Sequence, residues 1–94
     1  MKMSQSGLLV LKVFLEHASA PIYGYTLMQA AGISSGTLYP LLARFEAEGL
    51  LTSAWETSDP AKAGRPRRRL YRMTAHGTRV ATEVLSQLRG GVLV

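Results

Sequence analysis

A mainly α-helical fold carrying one small β-hairpin is what the sequence predicts, on three observations. Apolar residues recur at helical spacing over four stretches, with capping residues or glycines at their ends. The second and third of these stretches are separated only by a tight turn at Gly32. After Gly49 the pattern changes to alternation, then to turn-forming residues, then to a short apolar and basic run before the last helical stretch.

The first helix is expected over 5–18, with Ser4 as N-cap and Pro21 beyond its end. Leu8, Leu11, Leu15 and Ala18 form one apolar row, Val10 and Phe14 widen it, and Lys12 and Glu16 mark the wet side. That stripe is broad for a small core, so its surplus is a candidate subunit contact as well as a core face. A second helix over 24–31 closes at Gly32 and turns Leu27 and Met28 inward. The third opens at Ser34, an N-cap, and ends before Gly49.

Residues 50–57 alternate as a strand, Leu51, Ser53 and Trp55 against Thr52, Ala54 and Glu56. Ser58, Asp59, Pro60, Gly64 and Pro66 make a loop, and 67–73 returns as a second strand in which Leu70, Tyr71 and Met73 pack. The last helix starts at Thr74 as N-cap, runs to about 89 and is stopped by Gly90 and Gly91; Val80, Val84, Leu85 and Leu88 share one face. Three helices, a hairpin wing and one C-terminal helix make a winged helix-turn-helix. No internal repeat is present.

At 94 residues the chain is one domain of modest stability, which a second subunit would raise. No apolar run approaches the roughly 18 residues that span a bilayer. Residues 1–7 do not read as a secretory signal, so the cytoplasm is the expected location. Cysteine is absent, which excludes disulfides, Cys–zinc sites and thiol catalysis.

The formal net charge is +5, the pI is near 10.1, and the distribution says more than the sum. Lys62, Arg65, Arg67, Arg68, Arg69 and Arg72 fall within eleven positions that contain no acid. Such a block either solvates a loop or meets a polyanion, and with this pI it is the footprint of a nucleic-acid binder.

At 100° per residue the third helix gathers Leu38, Leu41, Leu42 and Phe45 into one arc for the core. The opposite arc holds Gly36, Tyr39, Pro40, Ala43 and Ala47, small apart from the tyrosine, so the backbone is free to approach a major groove. Ser34, Ser35, Thr37 and Tyr39 in the first turns are candidate donors to phosphates or base edges, and Arg44 farther along joins them. Pro40 costs roughly 3 kcal/mol inside a helix, and Gly36 four residues back eases the crowding, so a kink is expected after the first turn. In the hairpin Lys62 and Arg65 stand nearest the tip and suit a minor groove or the phosphate backbone. Arg67, Arg68, Arg69 and Arg72 alternate in a strand, so only some face DNA and the others lie on protein or pair with Glu56.

Catalytic readings lack groups. His17 and His76 are isolated, Glu46 and Glu48 lie on different faces of a helix, and there is no phosphate-binding glycine loop. Neither a cofactor nor a metal is expected.

Tyr23-Gly24-Tyr25, Gly36-Thr37-Leu38-Tyr39-Pro40-Leu41-Leu42, Glu48-Gly49-Leu50-Leu51, Trp55-Glu56 and Pro66-Arg67-Arg68-Arg69-Leu70-Tyr71-Arg72-Met73-Thr74, with Gly77, occur in this order. This series resembles the PadR family of bacterial transcriptional regulators, over about residues 7–85. The resemblance implies a homodimer that binds a palindromic operator, usually to repress. It carries DNA contact to Tyr23 or Tyr25, Ser35, Thr37 and Tyr39, and to Lys62, Arg65, Arg67 and Arg68 of the wing. It places dimerisation on the helix after the wing together with the first helix, hence on Leu8, Leu11, Val80, Val84, Leu85 and Leu88. Residues 1–74 would then be the DNA-binding part and 75–94 the dimerisation helix and tail of the same domain. The single helix after the wing matches the short form of the family and carries no aromatic residue to stack an aromatic effector, which leaves a small-molecule effector open. The rival expectation is a winged helix used as a protein-interaction or assembly module, without operator-specific DNA binding.

Overall fold

A computed structural model describes residues 3–17, 20–57 and 59–93, with the backbone course alone for 89–93. Its elements run α1 (Gln5–Glu16), β1 (Ile22–Tyr23), α2 (Gly24–Ala31), α3 (Ser35–Ala47), β2 (Leu51–Trp55), α4 (Pro60–Ala63), β3 (Arg69–Met73) and α5 (Ala75–Leu93). The three strands form one antiparallel sheet in the order β1-β3-β2, and the helices cover one of its faces. This is the winged helix fold that the sequence predicts.

Ser4 starts α1 by accepting the Gly7 N–H at 3.1 Å. His17 closes it, its Nδ1 2.8 Å from the Val13 carbonyl; Ala18, placed in this helix by the sequence pattern, lies outside the described residues. Val10, Leu11, Val13 and Phe14 are buried on α1, whereas Leu8 and Leu15 are only half-buried. Leu11 was expected to face a partner subunit. It is instead fully enclosed by the core of its own chain, because α1 presses its 10/11/14 edge, not its 8/15 edge, against α2 and α3.

Leu27, Leu38, Leu42 and Phe45 meet that edge and complete the helical core. Gly32 ends α2 in the left-handed conformation at φ 68°, its N–H reaching the Met28 carbonyl at 2.9 Å. Pro40 is accommodated inside α3, which continues as one helix through it.

The hairpin register pairs Leu51 with Met73, Ser53 with Tyr71 and Trp55 with Arg69. Leu51, Tyr71 and Met73 therefore share the buried face, joined by Ile22 of β1, while Thr52, Ala54 and Arg72 face outward. The expected hairpin thus has a third strand. Two residues are too few to give an alternating pattern, and β1 exists because the chain before α2 runs alongside β3, pairing Ile22 with Tyr71 and Tyr23 with Leu70.

Two further differences are local. The wing loop contains the helical turn α4, which Asp59 caps by accepting the Ala61 N–H at 3.0 Å, with Pro60 in its first turn and Gly64 closing it at φ 70°. At the other end α5 runs through Gly90 and Gly91 to Leu93, where a stop was expected. Glycine in a helix costs about 1 kcal/mol and clashes with nothing; it ends a helix where the backbone turns left-handed, as at Gly32, Gly49 and Gly64, the three positive-φ glycines among the described residues.

Thr74 locks α5 to the core. Its hydroxyl accepts the Gly77 N–H at 2.9 Å and lies 2.7 Å from the Gly49 carbonyl oxygen, while its own N–H donates to the Leu50 carbonyl at 3.0 Å.

Candidate nucleic-acid interface

Because Leu38, Leu42 and Phe45 turn inward, α3 presents Gly36, Tyr39, Pro40, Ala43 and Ala47 to solvent. The same exposed side carries Ser34, Ser35 and Thr37 at its start. Ser34 is the N-cap by position and backbone, but its hydroxyl donates to Thr37 Oγ1 at 3.3 Å and makes no capping bond to the helix. No acid occurs from residue 17 to residue 45, so nothing on α2 or the first turns of α3 repels a phosphate, and the helix N-terminus favours one.

Tyr39 is 47% exposed, yet it does not stand free of the neighbouring helix. Its hydroxyl and ring lie directly over Gly24, so close that a Cβ there would meet the hydroxyl oxygen at 2.6 Å and the ring at 3.2 Å. Tyr25, 62% exposed, stands beside it and accepts a hydrogen bond from Gln29 at 3.1 Å. A cleft lined by Tyr25, Tyr39, Trp55, Arg67, Arg69 and Tyr71 separates these tyrosines from the wing. Burial raises the Tyr71 hydroxyl above its ordinary pKa, so it stays neutral.

The wing is organised around one carboxylate. Glu56, with its side chain only 9% exposed, accepts a bond from the Tyr23 hydroxyl at 3.2 Å, one from the Arg68 backbone N–H at 3.0 Å, and the Arg65 guanidinium through both oxygens, the longer contact being 3.5 Å. Arg68 Nε lies 3.8 Å away, and its guanidinium stacks 3.8 Å from the centre of the Tyr23 ring. The Arg65 guanidinium and the other donors hold the Glu56 carboxyl at about 2 against the ordinary 4.5, overriding the opposing effect of desolvation.

On the opposite side of the strand Arg69 donates to Ser53 Oγ at 3.0 Å and lies 5.1 Å from the Trp55 ring. The Ser53 hydroxyl in turn donates to the Glu46 carboxylate at 2.8 Å. Trp55 itself is 60% exposed.

Of the residues singled out in the sequence, Ser34, Ser35, Thr37, Tyr39 and Tyr25 share the exposed side of the helix pair, and Lys62, Arg67 and Arg68 are exposed on the wing. Arg44 is exposed farther along α3 and pairs with Glu48 at 3.3 Å. Two placements differ from expectation. Arg65 was read as a tip residue reaching for DNA, but its side chain folds back onto Glu56. Partnership with Glu56 was expected from the run 67–72; Arg68 does so at longer range, and Arg65 is the principal partner. Tyr23, half-buried, serves the same node.

On the remote side Val80, Val84 and Leu85 of α5 are half-buried and Leu88 is exposed, with a groove against Lys12, Leu15 and Glu16 of α1. Glu56 and Trp55 were not singled out as site residues. A signal existed for Glu56, the one acid between Glu48 and Asp59, at the end of the alternating strand pattern that leads into the basic loop. Among the described residues no group of three or more His, Cys, Asp or Glu is placed to hold a metal ion, and no helix is long and apolar enough to cross a membrane.

The family model described as the transcriptional regulator PadR-like family matches residues 10–83. A PadR family transcriptional regulator from Eggerthella lenta DSM 2243 is 38% identical, with 92% of this chain and 79% of that one covered and a TM-score of 0.69. The protein smu.1704 from Streptococcus mutans UA159 is 26% identical over 99% of this chain and 88% of its own, with a TM-score of 0.73. The transcriptional regulator BldR from Sulfolobus solfataricus, 21% identical, shares the fold at a TM-score of 0.78; the match covers 98% of this chain and 60% of BldR. No curated protein sequence matches the chain significantly.

Proposed function

The chain belongs to the PadR-like family and is a DNA-binding transcriptional regulator, and from that premise we propose that it acts as a homodimer on a palindromic operator in the bacterial cytoplasm, repressing transcription there. α3 enters the major groove through its small-residue side, with Ser34, Ser35, Thr37 and Tyr39 nearest the bases and phosphates. Tyr25 and Arg44 flank that contact, and the wing cations Lys62, Arg67 and Arg68 lie on the minor groove or backbone. Arg65 and Tyr23 act from behind, through Glu56. Residues 1–74 meet DNA, and 75–94 with the Leu8 and Leu15 edge of α1 join the two subunits.

The observation that carries this reading is the small-residue outer side of α3, which has no acid before Glu46 and stands beside an exposed cationic wing. A two-fold dimer would set two such helices about 34 Å apart, one turn of DNA, which explains why a palindrome is the matching site.

The test is selection of duplexes from fragmented source-genome DNA, followed by titration of a recovered duplex at several salt concentrations. A recovered palindrome, and affinity that falls steeply with salt, are expected. Lys62→Ala should reduce the salt slope by about one, the signature of one lost phosphate contact. Recovery of no preferred sequence would favour the assembly-module alternative instead.

A further inference from the structure

Glu56 is the point at which three parts of the chain are joined. Tyr23 belongs to the β1–α2 junction, Arg65 follows the wing turn α4, and Arg68 immediately precedes β3. All three donate to the one carboxylate, whose side chain is 9% exposed. The Glu56 N–H also donates to the Arg68 carbonyl at 2.9 Å, extending the β2–β3 ladder by one step. Tyr23 is the N-cap of α2, and α2 packs directly on α3.

We propose that Glu56 is a positioning residue for DNA recognition, one that ties the wing to the start of α2 and so fixes where the wing stands relative to α3. A carboxylate placed among wing arginines opposes DNA by simple electrostatics, since it cancels part of the charge that would attract phosphate. Its value lies in pre-ordering. A hairpin tip held only by its own ladder samples many poses, and each must be ordered at binding, whereas a tip tied to the recognition unit is ordered beforehand. Arg65 is then a strut of the wing and not a phosphate contact, while Arg68 is held over Tyr23 with its guanidinium half-exposed.

The inference rests on the reading of the wing as a DNA-contacting element, and the experiment separates the two. The probes are a duplex selected by the wild-type chain and a scrambled duplex of equal length and composition; the quantity read is the ratio of the two affinities. Glu56→Gln keeps the shape and removes the charge, and Glu56→Asp keeps the charge but shortens the reach. Both should lower the ratio, by about fivefold, the size expected when one or two modest polar ties that pre-order a surface are lost. Arg65→Gln should do the same, and combined with Glu56→Gln it should cost no more than either alone.

If Glu56→Gln raises both affinities by one factor while Glu56→Asp matches wild type, the carboxylate is only a charge and the proposal falls. Full additivity of the Arg65 and Glu56 substitutions overturns it too, since Arg65 would then touch DNA by itself. Emission from Trp55, the only tryptophan and the neighbour of Glu56, reads the wing without DNA. A shift in both Glu56 variants supports the tie, and wild-type emission in both refutes it. A wild-type chain that selects no duplex overturns the operator reading, with the wing tie still judged by Trp55. Should Glu56→Gln fail to unfold cooperatively, Glu56→Asp and Arg65→Gln carry the test.

Discussion

Gly77 and Gly24 lack side chains for different reasons. At Gly77 a Cβ would sit 2.0 Å from the Leu50 carbonyl oxygen, a backbone atom that cannot yield without separating α5 from the α3–β2 junction. Gly77→Ala should therefore destabilise the fold by at least about 3 kcal/mol, read from denaturant unfolding. At Gly24 the obstacle is the far end of the Tyr39 side chain, and the backbone is helical, where alanine is the better residue. Gly24→Ala should leave the unfolding midpoint unchanged or slightly raised while pushing Tyr39 outward and weakening binding to a selected duplex. Lost stability at Gly24, or unaltered binding, would show that the tyrosine is not held there.

Both glycines stand in the opening turn of a helix in the sequence reading, and that position alone gives neither packing role. The contact of Gly24 with Tyr39 joins residues fifteen positions apart on two helices, and no periodicity encodes it. Ser4 and Thr74 were legible as caps because a cap is a bond within three residues, Ser4 to Gly7 and Thr74 to Gly77. Ser34 met the same rule, yet its hydroxyl turns to Thr37 Oγ1 and the Thr37 N–H bonds the Ser34 carbonyl instead.

Among the elements, the wing is where sequence and structure diverge most. Its strands follow from alternation, and the α4 turn follows in retrospect from Asp59, Pro60 and Gly64, a helix start and stop set too close together to read as a helix. Its attachment has a pH signature. The folded-state pKa of Glu56 lies below its ordinary 4.5, so the bonds from Arg65, Arg68 and Tyr23 contribute stability that is complete above about 4.5. That contribution is lost as the pH falls toward 2. Trp55 emission should accordingly stay constant from neutral pH to about 4.5 and change below it, and the Glu56→Gln variant should lack that acid step. A wild-type emission change centred near neutrality would assign the response to another group.

The surfaces proposed to face DNA and a second subunit lie apart on the molecule, one on α3 and the wing, the other on α5 and α1. α5 leaves the core gradually, with Gly77 and Ala81 buried, Val84 and Leu85 half-buried and Leu88 49% exposed. Leu88 contributes little to the monomer fold, so Leu88→Glu should still unfold cooperatively and lose only the concentration-dependent stability that a second subunit adds. It should nevertheless shift sedimentation at micromolar concentration toward the monomer and lower affinity for a palindromic duplex more than for a half-site. A variant that sediments as wild type would remove the exposed part of α5 from the subunit contact.

By itself the sequence determined the four long helices, the Ser4 and Thr74 caps, the helix-turn-helix, the basic hairpin and the membership in the PadR-like family, because each depends on patterns within a few residues or on motifs in order. Tertiary structure alone decided that Leu11 lies in the core, that β1 makes a third strand, and that Tyr23 meets Glu56 across 33 positions. The reason is geometric: short-range periodicity fixes which side of an element is apolar, while the partner that side meets is fixed only when the elements pack.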